Sequence, residues 1–260
     1  MIHGLHLNRF GPPGAGRVLM IHGLTGYGRR WHTLAARHLP EIAVLAPDLI
    51  GHGHSTWSAP WTIEANGTAL AGLIEDEADG PVLVVGHSFG GAVALHLAAA
   101  CPDLVSGLVL LDPAVGLDGQ WMREVAEAAM DSPDYTDPAE ARTEKATGAW
   151  ADVPPAELDA ECENHLVALP NGRYGWRVCP PAMMSYWSEL ARDIMLPHNG
   201  TPTTLVRAEF SEPPYVTEAL IDGLEGRLGE DFTLVEFGCR HMVPLADPAA
   251  TAVVIRDMLG

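Results

Sequence analysis

The 260-residue sequence contains a single lysine, Lys145, and only 15 basic residues against 34 acidic ones. The net charge of −19 excludes a nucleic-acid binder, because a phosphate backbone needs clustered cations. It also argues against docking on anionic membranes; its ordinary meaning is a solvated acidic exterior. Cysteine is sparse. Cys101, Cys162, Cys179 and Cys239 include no C-x-x-C pair, so neither a zinc site nor a redox couple is indicated, and no metal is expected. Few cysteines make a reducing, cytoplasmic setting the default expectation. Long apolar runs are missing too. The best candidate for a membrane span, Gly90 to Cys101, is interrupted by His96 and stopped by Pro102, so no stable membrane insertion is expected. Met1-Ile2-His3-Gly4 shows neither the basic n-region nor the apolar h-region of a secretory signal. With 47% hydrophobic and 19% charged residues, the chain is not globally disordered and is long enough to bury a core.

Short β-rich runs recur at Arg17–Ile21, Ile42–Ala46, Val82–Val85, Leu108–Leu111, Thr203–Ala208 and Phe232–Phe237. Most are continuously apolar, as in strands covered on both faces. Helix-like stretches separate them, at Trp61–Glu77, Gly90–Ala100, Thr217–Leu228 and Pro248–Leu259. Alternation of this kind predicts βαβ units, an α/β fold with a mostly parallel sheet. Leu5–Phe10 alternates instead and predicts an edge hairpin strand, turned back by Gly11-Pro12-Pro13-Gly14. Between Asp112 and Thr203 no strand-like run appears. Residues 118–130, 138–150, 155–168 and 184–194 look helical. The expected organisation is therefore a core from residues 1–114 and 199–260, with a helical cap over 115–198.

The sharpest local signal is Gly86-His87-Ser88-Phe89-Gly90. It is G-x-S-x-G between a strand and a helix. A nucleophile on so sharp a turn needs a glycine on each side, because side chains there would clash. The turn would lift the Ser88 hydroxyl clear of the sheet and set the Phe89 N–H where it can meet a developing oxyanion.

At these residues the chain resembles the α/β-hydrolase family, in its serine-hydrolase branch, over almost its whole length. Ile21-His22-Gly23-Leu24 stands where the family has its first oxyanion loop. Pro47-Asp48-Leu49-Ile50-Gly51-His52-Gly53-His54-Ser55 stands at the P-D-x-x-G-x-G-x-S turn, and His241-Met242-Val243-Pro244 at the terminal histidine. Within the family it is similar to small actinobacterial and mycobacterial lipases and esterases. The resemblance implies an α/β-hydrolase fold and hydrolysis of carboxylic esters through an acyl-enzyme. It implies Ser88 as nucleophile, His241 as base, Leu24 and Phe89 as oxyanion donors, a small-molecule ester as partner and no cofactor. His52 and His54 form an H-x-H whose place in a glycine-rich turn explains it better than metal binding.

For the acid, the resemblance points to the loop after Thr203–Ala208, where Arg207, Ala208, Ser211 and Glu212 follow an R-G-x-x-S-D pattern. Glu212 is the expectation, with Asp112, Glu218 and Glu209 as alternatives. Arg240, before the base, would lower the pKa of His241, bind an anionic substrate group, or point to solvent and pair with Glu236 or Asp247. In the cap, Met183 and Trp187 are the expected substrate contacts, because adaptable apolar side chains suit an acyl or alkyl group, and the Phe89 side chain is expected to touch substrate as well. A C–C bond hydrolase, thioesterase or lyase on the same fold, or a slow-turnover ligand sensor, remains an alternative.

Overall fold

A computed structural model describes residues 1–260. Its strands are β1 (Leu7–Phe10), β2 (Val18–Ile21), β3 (Val44–Pro47), β4 (Val82–His87), β5 (Val105–Leu111), β6 (Leu166–Ala168), β7 (Tyr174–Trp176), β8 (Thr203–Ala208) and β9 (Phe232–Phe237). Its helices are α1 (Ile63–Glu77), α2 (Phe89–Ala100), α3 (Gly119–Asp131), α4 (Pro138–Lys145), α5 (Pro155–His165), α6 (Pro180–Glu189), α7 (Glu218–Leu228), α8 (Val243–Ala246) and α9 (Pro248–Leu259).

Seven strands form one sheet in the order β1-β3-β2-β4-β5-β8-β9. All neighbours are parallel except β1, which runs antiparallel to β3. Burial on both faces explains the unbroken apolar runs. Val82 and Val84 of β4 pack into the layer that holds α1 and α2. Leu83 and Val85 pack on the other side with Trp31, Leu34 and α9. The edge is less covered, and in β9 only Phe232, Val235 and Phe237 are partly buried.

Two expectations are corrected here. Leu7–Phe10 is an edge strand, but it pairs with β3 rather than folding back on β2. The cap is also not purely helical. β6 and β7 form a small antiparallel ribbon between α5 and α6, replacing the last residues of the expected 155–168 helix. Three-residue strands are too short to announce themselves by alternation.

The segment between β5 and β8 carries α3 to α6 and lies over the ends of the strands. A buried hydrogen-bond chain fastens it. The Asn66 side-chain amide donates to the Tyr186 hydroxyl at 2.8 Å, and that hydroxyl donates to the Ile50 carbonyl oxygen at 3.0 Å. The Ile50 N–H in turn donates to the Asn66 side-chain oxygen at 3.0 Å. Tyr186 is wholly buried, so breaking the chain would leave polar groups without partners.

Candidate active site

The parallel register of β4 and β5 sets His87 opposite Leu111. The next residue of each strand, Ser88 and Asp112, therefore leaves the sheet at the same level. Both adopt positive φ without being glycine, Ser88 at 55° and Asp112 at 43°. Thr25 does the same at 57°. Such conformations are strained and cluster where function holds them; Thr25 and Ser88 line one cavity, and Asp112 holds His241, which lines it too. Glycine makes the Ser88 turn possible. A Cβ on Gly86 would lie 2.4 Å from the Gly90 carbonyl oxygen, and one on Gly90 would lie 2.2 Å from that of Ile21.

His241 follows β9 and reaches back across the sheet ends. Its Nε2 lies 2.9 Å from Ser88 Oγ and its Nδ1 2.6 Å from Asp112 Oδ2. In the neutral ring, Nδ1–H donates to the carboxylate and Nε2 accepts from the serine hydroxyl. All three residues are buried. Asp112 also accepts from the Ala208 N–H and the Ser211 hydroxyl, each at 3.1 Å. The Tyr215 ring stacks on His241 with centroids 3.9 Å apart. His87 Nε2–H donates to the His241 carbonyl oxygen at 2.8 Å, so the loop bearing the histidine is held from below.

The expectation for the acid is thus corrected: the carboxylate on His241 is that of Asp112, not Glu212. Glu212 is exposed, and its loop follows β8, one strand further from Ser88 than β5. That loop contributes the Ser211 hydroxyl and the Tyr215 ring instead. Glu209 is exposed, and Glu218 pairs with Arg207 at the surface. Arg240 is exposed as well. Glu236, expected as its partner, is held by Arg207, and Asp247 caps α9.

The loop after β2 brings Gly23 against the serine; a Cβ there would sit 2.8 Å from Ser88 Cβ. His22 fixes this loop. Its Nε2 accepts the Leu49 N–H at 2.9 Å, so Nδ1 carries the proton and donates to the Gly23 carbonyl oxygen at 2.8 Å. The Leu24 N–H has no acceptor. The Phe89 N–H is the first of α2 and has none within the helix. The Phe89 side chain, by contrast, is fully buried against Tyr186, which corrects the expectation that it touches substrate. His52 donates to the Ile50 carbonyl oxygen at 3.1 Å, whereas the His54 ring packs at a tilt against His6. The two histidines of the H-x-H thus serve the turn separately.

Two hollows adjoin near Ser88, which lines only the inner one. A cavity of about 140 Å³ is lined by Leu24, Ser88, Trp150, Trp187, Tyr215 and His241, among others. A more apolar cleft of about 470 Å³ runs through the cap past Val125, Trp176, Met183 and Met184. Thr25, Trp150 and Trp187 border both. Met183 therefore lines the cleft rather than the inner cavity, and Trp187 lines the junction.

Besides His241, four histidines are buried: His22, His52, His87 and His165. Burial, ahead of every other influence, lowers the pKa of each, that of His52 to about 4. The folded protein keeps these rings neutral, whereas the unfolded chain protonates them below about pH 6.5. Below that value the unfolded state binds more protons. The stability these rings contribute is therefore complete above pH 6.5 and is lost as the pH falls towards the folded values. Each ring contributes a slope of about 1.4 kcal/mol per pH unit. A steep fall of the urea midpoint between pH 7 and 5 is expected, and a flat profile there would contradict this reading.

A buried His–Asp pair on a serine turn, under a cap on a parallel sheet, defines a hydrolase that carries a catalytic triad. The model of the alpha/beta hydrolase family matches residues 18–254, and the chain belongs to that family. The chain is 65% identical to Lipase LipV of Mycobacterium tuberculosis over 260 residues, 100% of this chain and 99% of that protein. Among solved structures, an E-2-(acetamidomethylene)succinate hydrolase superposes with a TM-score of 0.82 at 23% identity, covering 98% of this chain and 94% of that one. A M. tuberculosis esterase gives 0.74 at 26% identity, covering 98% and 89%. No helix of the chain is long and apolar enough to cross a membrane.

Proposed function

We propose that the protein hydrolyses short- to medium-chain carboxylic esters through an acyl-enzyme. The observation that carries the reading is the unbroken chain from Ser88 Oγ through His241 to Asp112. The Ser88 oxygen bonds to the ester carbonyl carbon as its proton passes to His241 Nε2. The Leu24 and Phe89 N–H groups receive the oxyanion, a contribution of several kcal/mol for such donors. The carbon–alkoxy bond then breaks, and His241 returns the proton to the departing alcohol. Water attacks the acyl-enzyme by the same route, its proton going to His241 and then to Ser88. Asp112 holds the ring in the Nδ1–H tautomer and stabilises the imidazolium.

The name of the LipV relative supports the ester as substrate class, and the cavity sizes favour short acyl groups over Ser88. The four cysteines are free thiols, which suits the reducing, cytoplasmic setting we propose. A p-nitrophenyl ester series tests the reading. Turnover is expected to be highest on acetate to hexanoate and to fall steeply for palmitate. Failure of a fluorophosphonate probe to label Ser88 in the folded protein would overturn the enzyme reading, and labelling with turnover confined to long chains would overturn the chain-length preference.

A further inference from the structure

The sole lysine of the chain is buried beside the proposed catalytic cavity. Lys145 Nζ donates to Glu161 Oε1 at 2.8 Å. It lies 3.5 Å from the centre of the Trp176 ring and 4.6 Å from that of Trp150. Arg30, from the core, engages the same carboxylate through Nε and Nη2, and Nη2 also donates to the Thr25 carbonyl oxygen at 3.0 Å. The side chains of Arg30, Lys145 and Glu161 are only 6%, 7% and 2% exposed.

Two cations thus share one anion. The carboxylates on neighbouring elements are engaged elsewhere. Glu157 accepts from the Thr33 hydroxyl, Glu144 from the Tyr135 hydroxyl, and Asp48 from the N–H groups of Gly28 and His54. His165, stacked between Tyr27 and Trp176, is kept neutral by burial. A buried charge without a counter-charge is unfavourable, and within contact distance the two cations have one carboxylate between them. Arg30 still has an edge to offer: Nη1 donates to nothing, and the guanidinium lines the same cavity as Ser88. It also borders an outer hollow of about 220 Å³, but that one already holds Glu157 and Glu161, which repel an anion. Lys145 lines the adjoining cleft, whose one carboxylate, Glu144, is exposed and accepts from the Tyr135 hydroxyl. Burial lowers its pKa, against the pull of Glu161 and helped by Arg30, to about 8, so at pH 7 the excess positive charge is present.

We infer that Arg30 and Lys145 form an anion-recognition wall beside Ser88, and that the preferred substrates are short esters with a carboxylate at their far end, half-esters of small dicarboxylic acids. This rests on the hydrolase reading above. It places two buried cations against one carboxylate beside the cavity that Ser88 lines, whereas a bare cap fastening would need only one cation for Glu161.

The test compares kcat/KM at pH 7 for monomethyl and dimethyl succinate. The wild type is expected to favour the half-ester at least ~10-fold, the size of a charge-assisted hydrogen bond. Lys145→Met makes the cluster neutral and should bring the ratio towards one, whereas Glu161→Gln adds a positive charge and should raise it. A purely structural cluster predicts that both variants slow both esters by the same factor, and an unchanged ratio overturns the inference. Calorimetric binding of succinate to the wild type decides the matter should either variant fail to fold, because no binding overturns the anion site. The two readings fail separately. Turnover of dimethyl succinate without preference for the half-ester sinks the anion wall and leaves the hydrolase. No turnover of either ester, with Ser88 unlabelled, sinks the hydrolase, and succinate binding then still tests the wall.

Discussion

Replacing Ser88 with alanine is expected to lower kcat on a p-nitrophenyl ester by roughly 10⁶-fold, the scale seen when a triad nucleophile is removed. KM should change little, because the cavity walls are untouched. The same position offers a second readout. Ser88 sits at φ 55° and ψ −122°, a conformation that strains any side chain and that glycine adopts freely. Ser88→Gly should therefore be as inactive as the alanine variant yet more stable than it by about 1 kcal/mol, read from urea denaturation. Activity surviving in both variants would mean that another group attacks the ester. Equal stability of the two would mean that the turn is not strained.

The second large effect separates Asp112 from Glu212. Asp112→Asn is expected to reduce kcat by about 10⁴-fold with the fold intact, by favouring the wrong tautomer of the histidine. Here the cause is specific. Asp112 accepts three hydrogen bonds, from His241 Nδ1, the Ala208 N–H and the Ser211 hydroxyl. An amide has one oxygen for these donors, and its NH₂ must face one of them. Glu212→Gln, at an exposed loop position, should leave kcat within about twofold of wild type, as surface changes away from a site usually do. The opposite pattern in steady-state kinetics would restore Glu212 as the acid.

Why the sequence pointed to the wrong carboxylate is instructive. The serine turn was legible because a single short stretch, Gly86 to Gly90, contains everything that shapes it. The acid is chosen between two loops, after β5 and after β8, and both carry an acidic residue close behind an apolar strand. What decides is the register across the sheet, His87 opposite Leu111, together with the direction of the 209–214 loop. Neither is a local property of the chain. The parallel core strands were readable for the same reason as the serine turn, since burial on both faces leaves a local mark. The partner of β1 was not, because alternation shows which face is wet and not which strand lies alongside. Least visible was the Arg30–Glu161 pair, 131 residues apart. Each looks like an ordinary surface charge until the cap folds over the core.

The burial of Lys145 has a further consequence. An endoprotease that cuts only after lysine has one target bond in these 260 residues. It lies at the end of α4, where the side chain is 7% exposed and packed against two tryptophans. The folded chain is therefore closed to such an enzyme until the cap lifts, and every cut records one opening. When reclosing is fast, the cutting rate follows the population of the open form. A single digestion course, resolved into two fragments on a gel, would thus report the fraction of chains in which the end of α4 is released.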